Sequence, residues 1–309
     1  MKIIFMGTPQ FAVPSLDILV RNGYNVVAVV TAKNNYGGRG GKQLIESPIK
    51  KYADNANIPV LQPDKLRSPD FLTTLKSYEA DLQIVVAFRM LPELVWDMPK
   101  LGTFNLHGSL LPKYRGAAPI NHAIIQGETE TGVTSFKLKH EIDTGDILLQ
   151  KSIPIYDDEN AGSLHDRMMI VAADVVLATV RLIEFGKYSF EKQPESMSTK
   201  APKIFHETCQ INFSETATTI YNFIRGLSPY PGAWFTLEGK EIKVLKAEKE
   251  YSEDNPTPGE LKSDLKKYLK IGCEGGYISL KEIKPEGKKI MSISEFLNGC
   301  KYLPADIEM

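Results

Sequence analysis

Runs such as Gln83-Ile84-Val85-Val86-Ala87, apolar on both alternating faces after the first residue, constrain this chain more than any other feature. A strand with two apolar faces must be covered on both sides, which is the situation of a parallel strand between helical layers. Such runs predict strands over Ile3–Met6, Val26–Thr31, Pro59–Leu61, Leu82–Ala87, Gly102–Leu106 and Val133–Leu138. Between them a period near 3.6 predicts helices over Val13–Asn22, Pro48–Asn55, Asp70–Ser77, Pro119–Ile125 and Leu164–Phe185. Ser163 is expected to cap the start of the last helix and Gly186 its end. Strand–helix alternation of this kind predicts an α/β fold built on a doubly wound, mostly parallel, Rossmann-like sheet. Ligands of such sheets bind at the carboxyl ends of the strands.

The pattern changes after residue 186. Residues 187–206 carry Lys187, Lys192, Lys200 and Lys203 with Pro194 and Pro202 and no sustained period, which predicts a linker. An amphipathic helix over about 214–226 follows. Short strand runs come next, at Ala233–Leu237, Glu241–Ala247, Tyr268–Gly272 and Tyr277–Ile283, separated by glycine and proline turns. That predicts a small OB-like β-barrel with one helix. The expected organisation is a catalytic domain over 1–186, a linker over 187–206 and a C-terminal domain over 207–309. A chain of 309 residues is long enough for two cores.

Several classes are disfavoured. A net charge of −1 argues against a uniformly basic nucleic-acid binder, though not against a local basic patch. Cys209, Cys273 and Cys300 form no CxxC pair, so neither a disulfide framework nor a metal site is expected. The opening Met1–Met6 run is too short for an export signal, and no run approaches 18 apolar residues. A cytoplasmic protein without a membrane span is the expectation.

The chemistry concentrates in Asn105-Leu106-His107-Gly108-Ser109-Leu110-Leu111-Pro112. Two residues apart on a strand, Asn105 and His107 point the same way. Downstream lies Asp143-Thr144-Gly145-Asp146, a carboxylate-bearing turn. Amide, imidazole and carboxylate together suit acyl transfer: one polarises a carbonyl, one stabilises an oxyanion and one handles a proton. Residue type alone does not decide between Asp143 and Asp146, since aspartate favours turns for structural reasons. Gly37-Gly38-Arg39-Gly40-Gly41-Lys42 fails as a phosphate loop, because Gln43 follows the lysine. It reads as a glycine-rich surface loop. Lys33, Arg39, Lys42, Lys50 and Lys51 against Glu46 nevertheless give its neighbourhood a cationic bias suited to phosphates. Gly7-Thr8-Pro9 lacks the G-x-G-x-x-G spacing, so a dinucleotide is not expected. Acids slightly outnumber bases in the second domain, whose lysines read mainly as a solvated face.

The Asn105–Pro112 and Asp143–Asp146 motifs resemble those of the folate-dependent formyltransferases over Met1–Phe185. The whole chain is similar to the branch of that family acting on methionyl-tRNA. That narrower likeness is carried by Ile4–Pro9, Gly38–Lys42, Tyr114–Ile120, Gly127–Val133, Ile224–Trp234 and Gly287–Ser292. The resemblance implies Asn105, His107 and Asp143 as catalytic residues. It implies Ser109, Leu110, Leu111 and Pro112, with Phe88 and Met90, as a folate-binding segment. Arg39 and Lys42 then fall on the insertion that contacts the acceptor end of tRNA. The segment Ala87-Phe88-Arg89-Met90-Leu91-Pro92 is one residue shorter than the family's Ala-Tyr-Gly-x-x-Leu-Pro.

The implied reaction moves a formyl group from 10-formyltetrahydrofolate, a co-substrate, to the α-amino group of methionyl initiator tRNA, for translation initiation. Asn105 and His107 would both donate to the oxyanion, with Asp143 holding His107 protonated. No metal is implied, and the expected enzyme is monomeric. The nearest alternatives are an amino-sugar formyltransferase and a formyltetrahydrofolate hydrolase. A non-catalytic RNA-binding protein is a rival of another class, and the intact Asn105, His107 and Asp143 argue against it.

Overall fold

The computed structural model describes residues 1–37, 41, 43–300 and 302–307. Chain contacts divide it into two compact units. One is formed by residues 1–116, 132–153 and 165–200, the other by 117–131, 154–164 and 201–309.

The first unit begins with strand β1 (Lys2–Gly7), helix α1 (Val13–Arg21) and β2 (Asn25–Val30). A hairpin of β3 (Asn35–Gly37) and β4 (Gln43–Ile45) follows, then α2 (Pro48–Asn55), β5 (Val60–Leu61), α3 (Pro69–Ser77) and β6 (Leu82–Val86). The next elements are α4 (Glu93–Trp96), β7 (Thr103–His107), β8 (Arg115–Gly116), α5 (Pro119–Ile125), β9 (Glu130–Lys137), β10 (Ile147–Pro154) and α6 (Ala161–Phe185). Seven strands form one sheet in the order β10-β9-β7-β6-β1-β2-β5. Pairs β1–β2, β1–β6, β2–β5 and β6–β7 are parallel, and β7–β9 is antiparallel. The doubly wound sheet expected from the two-sided apolar runs is present. Ile3, Ile4, Phe5 and Met6 are fully buried, as is the whole of Leu82–Val86. Each such large apolar side chain contributes about 1.5–3 kcal/mol on burial. Connections leave β1 toward β2 on one side while β6 lies on the other, so the strand order reverses between β1 and β6. A crevice at their carboxyl ends follows from that reversal.

Three local expectations change. Helix α6 starts at Ala161 rather than Leu164, and Asn160 is its cap in place of Ser163. Asn160 Oδ1 accepts from Ser163 N at 2.9 Å, while Ser163 Oγ accepts from Asn160 N at 3.1 Å. Ser163 is therefore the returning partner of a capping pair. Gly186 does end α6, with φ +66°. The glycine-rich stretch after Lys33 is flanked by a β3–β4 ladder pairing Asn35 with Ile45 and Gly37 with Gln43. Finally, residues 187–200 belong to the first unit, and Glu191 bridges antiparallel to Ile147.

After the short strand β11 (Lys200–Ala201), the second unit contains α7 (Ala217–Leu227), β12 (Ala233–Leu237), β13 (Lys240–Tyr251), β14 (Leu261–Ser263), β15 (Leu269–Cys273), β16 (Gly276–Pro285), β17 (Met291–Ser292) and α8 (Ile293–Leu297). The sheet runs β12-β13-β16-β15-β14, with β17 on β16, as a curled antiparallel half-barrel. Thr216 caps α7 by accepting from Thr219 N, and Ala217, Ile220, Ile224 and Leu227 place one buried stripe on the barrel core. The unit also recruits α5, whose Asn121 Nδ2 donates to Gly226 O at 2.8 Å. A side chain at Gly226 would meet Ile125 Cγ1 at 2.6 Å, so glycine is what lets α5 and α7 approach. Cys273 lies in this core, and burial pushes its thiol up to about 11. Iodoacetamide at pH 8 is accordingly expected to leave Cys273 unmodified in the native protein and to label it after unfolding. Mass spectrometry of the two digests checks this, and native labelling at the unfolded rate would contradict it.

Candidate active site

Strand β7 presents Asn105 and His107 on one face at its carboxyl end, opposite Phe136 and Thr134 of β9. His107 is buried and Asn105 half-buried. The His107 Nε2 atom lies 2.8 Å from the Tyr114 carbonyl oxygen. A carbonyl only accepts, so Nε2 carries a proton and donates there. Nδ1 faces Asp143 Oδ2 at 3.7 Å, too far for a direct hydrogen bond. The same Oδ2 accepts from Gly116 N at 2.9 Å.

The two candidate aspartates separate here. Asp146 Oδ1 pairs with Lys139 Nζ at 2.7 Å, while Asp143 turns inward to His107. Asp143 adopts φ +56°, and Gly145 is buried in the same turn. Each of the other histidines is engaged elsewhere. His122 meets the Pro202 carbonyl, His140 Glu93, His165 Asp166 and His206 Glu241.

The Ser109–Pro112 loop is fixed from β9 and β10. Thr134 Oγ1 donates to Ser109 O at 2.6 Å and accepts from Leu111 N at 3.1 Å. Gln150 Nε2 donates to Leu111 O at 2.8 Å and to Thr134 Oγ1 at 2.9 Å. Ser109 Oγ donates to Lys113 O at 2.6 Å. These bonds occupy the Ser109 and Leu111 carbonyls, so the loop offers a shaped shelf more than free acceptors. Sequence reasoning passed over Thr134 and Gln150. The one signal for Gln150 is a polar residue closing the apolar run Ile147-Leu148-Leu149.

Beside the sheet's crevice, Phe88 packs half-buried against the Ile4/Met6/Val85 core, and Met90 is 76% exposed. Arg89 lies 5.8 Å over the Phe88 ring and donates to Asp64 O (3.0 Å) and Pro63 O (2.6 Å). Among the described residues, Phe88, Arg89, Met90 and Leu91 enter no backbone–backbone hydrogen bond beyond the regular elements. Arg39 and Lys42 lie outside the described residues.

Asn105 and His107 stand at the carboxyl end of β7 with Asp143 facing the imidazole, where doubly wound sheets of enzymes bind their ligands. The family model described as "Formyl transferase" matches residues 1–180, and "Formyl transferase, C-terminal domain" matches 203–301. The chain belongs to the formyl transferase family, and within it to the methionyl-tRNA formyltransferases. A methionyl-tRNA formyltransferase of Parabacteroides distasonis is 49% identical, covering 98% of this chain and 97% of its own length. Among solved structures, an N-formyltransferase from Helicobacter canadensis in complex with folinic acid and dTDP-3-aminofucose shares the fold. Its TM-score is 0.68 at 24% identity, over 91% of this chain and 98% of that one. A methionyl-tRNA formyltransferase from Clostridium thermocellum shares it too, with a TM-score of 0.56 at 16% identity, over 81% and 94% of the two chains.

Proposed function

We propose that this enzyme transfers the formyl group of 10-formyltetrahydrofolate to the α-amino group of methionine esterified to initiator tRNA. The observation that carries the reading is the Asn105, His107 and Asp143 grouping at the end of β7 in a chain 49% identical to a methionyl-tRNA formyltransferase.

Free α-amines titrate at about 7.7–8.0, so the nucleophile needs only modest activation at neutral pH. A nitrogen hydrogen-bonded at about 2.8 Å to both partners fits between His107 Nδ1 and Asp143 Oδ2, which are 3.7 Å apart. As it attacks the formyl carbon, a C–N bond forms and negative charge moves to the formyl oxygen. Asn105 donates its amide N–H to that oxygen. The amine proton passes to Nδ1, and the imidazolium that results is stabilised by the Asp143 carboxylate. Collapse breaks the bond to the folate nitrogen, which takes that proton as it leaves. This division of labour differs from the expectation for His107. Its Nε2 proton is committed to Tyr114, so Asn105 serves the oxyanion while His107 manages the proton.

The Phe88–Leu91 segment is assigned to the pterin edge, with Phe88 and Met90 as apolar flanks and Ser109–Pro112 as a shelf held by Thr134 and Gln150. Arg39 and Lys42 are assigned to acceptor-end phosphates, and the unit built on β12–β17 to the body of the tRNA. The enzyme is read as a cytoplasmic monomer. No helix among the described residues is long and apolar enough to cross a membrane.

The test offers radiolabelled formyl donor to methionyl initiator tRNA, an amino-sugar nucleotide and water. Label is expected on the methionyl-tRNA at a rate at least about 100-fold above the others. Label on the sugar, or free formate in place of formylated tRNA, would instead identify a sugar formyltransferase or a hydrolase.

A further inference from the structure

Asp143 holds a left-handed φ of +56°, which aspartate tolerates better than most residues but which its surroundings must still select. Gln193, in the stretch between α6 and the second unit, supplies the selection. Its Nε2 donates to the carbonyl oxygens of both Asp143 (2.8 Å) and Gly145 (2.7 Å). A primary amide has two N–H groups, and both are used. At the other end Oε1 accepts from Arg115 Nε at 3.0 Å, and Arg115 Nη1 is forked onto Glu195 at 3.0 and 2.8 Å. The Arg115 side chain is only 12% exposed while Glu195 is 77% exposed, so the Arg115–Gln193 contact is the sheltered part of the arrangement.

Strand β8 therefore grips Asp143 twice. Gly116 N holds the carboxylate directly, and Arg115 holds the carbonyl through Gln193. The same segment supports the other half of the pair. Thr199 Oγ1 accepts from Tyr114 N at 2.8 Å and Thr199 O accepts from Arg115 N at 2.9 Å, while the Tyr114 carbonyl receives the His107 proton. We infer that Gln193 is a positioning residue for the transfer reaction. It sets the Asp143–Gly145 turn so that the carboxylate faces His107 Nδ1. No other uncharged side chain of this length offers two donors and an acceptor together. Methionine fills the volume without donors, and glutamate keeps Arg115 partnered while presenting oxygens to two carbonyl oxygens.

The inference rests on the formyl-transfer reading only for its assay. Gln193→Met is expected to lower kcat about 10–100-fold, with the KM of folate and of tRNA each within about twofold of wild type. Gln193→Glu should lose at least as much and serves if the methionine variant does not fold. The decisive measurement is the cycle with Asp143→Asn. If Gln193 acts through Asp143, adding Gln193→Met to Asp143→Asn changes kcat by less than about twofold. A second full loss in the double variant, or a single-variant kcat within twofold of wild type, overturns the inference. Absence of formyl transfer by the wild-type chain to methionyl-tRNA would be a failure of the functional reading, and is seen in the same experiment's first control.

Discussion

Asp143→Asn is expected to reduce kcat by about a thousandfold with the fold intact. The substitution keeps the side chain's shape, and its oxygen can still accept from Gly116 N. What it removes is the charge 3.7 Å from His107 Nδ1. With Nε2–H donating to Tyr114, the ring can take the amine proton only by becoming an imidazolium in a buried place. Without the carboxylate that cation is uncompensated, and comparable losses of a carboxylate behind an imidazole reach about 10⁴ in rate. Single-turnover kinetics on preformed complexes isolates the step. A loss below about tenfold would remove Asp143 from the mechanism. Asn105→Ala, which deletes the proposed oxyanion donor, should cost about 10²–10³ in the same measurement.

Gly145→Ala is expected to damage stability and catalysis together. A Cβ there would lie 1.8 Å from the Lys137 carbonyl oxygen and 2.7 Å from Phe136 Cδ2. The obstacle is backbone on β9, which cannot rotate away, so the turn itself must move. Overpacking of this kind costs about 3 kcal/mol or more. Denaturant unfolding should show the loss as a lower midpoint, and residual kcat should fall because the displaced turn carries Asp143. Thr144→Ala is the neighbouring control. It deletes one exposed hydrogen bond to Glu141 O and should leave both quantities nearly unchanged. Equal stability of the two variants would show that the turn has room the geometry denies it.

Much of the fold was legible from periodicity. Helices Pro48–Asn55 and Pro119–Ile125 and strand Ala233–Leu237 fall where their patterns place them, because each is bounded by proline, glycine or a sharp polarity change. Strand β9 begins at Glu130, three residues before the apolar run, since pairing holds polar residues extended once the ladder exists. The β3–β4 hairpin was hidden by a sequence too rich in glycine and asparagine to read as strand. In the site, Asn105 and His107 are visible because two residues on one strand must share a face. The choice of Asp143 over Asp146 was not, since it depends on Lys139 capturing one of them. Nor was the direction of the imidazole. Nothing in the sequence says that the Tyr114 carbonyl takes the Nε2 proton. Thr134, Gln150 and Gln193 were invisible for a related reason: each acts on backbone atoms of a distant segment, and a backbone partner leaves no trace in residue identity.

The position of Gln193 and Thr199 also bears on how modular this enzyme is. By strand order alone, the chemistry-bearing half is complete when α6 ends at Phe185. Yet the stretch beyond it closes against Ile147, Tyr114, Arg115 and the Asp143 turn. Excision after Gly186 would keep every strand of the large sheet, with Asn105, His107 and Asp143, while discarding the hydrogen bonds that Gln193 and Thr199 make to the Asp143 turn and to Tyr114–Arg115. Residues 187–200 therefore go with the first unit, and a graft that replaces the segment beyond them must also match residues 117–131 and 154–164, which belong to the second unit.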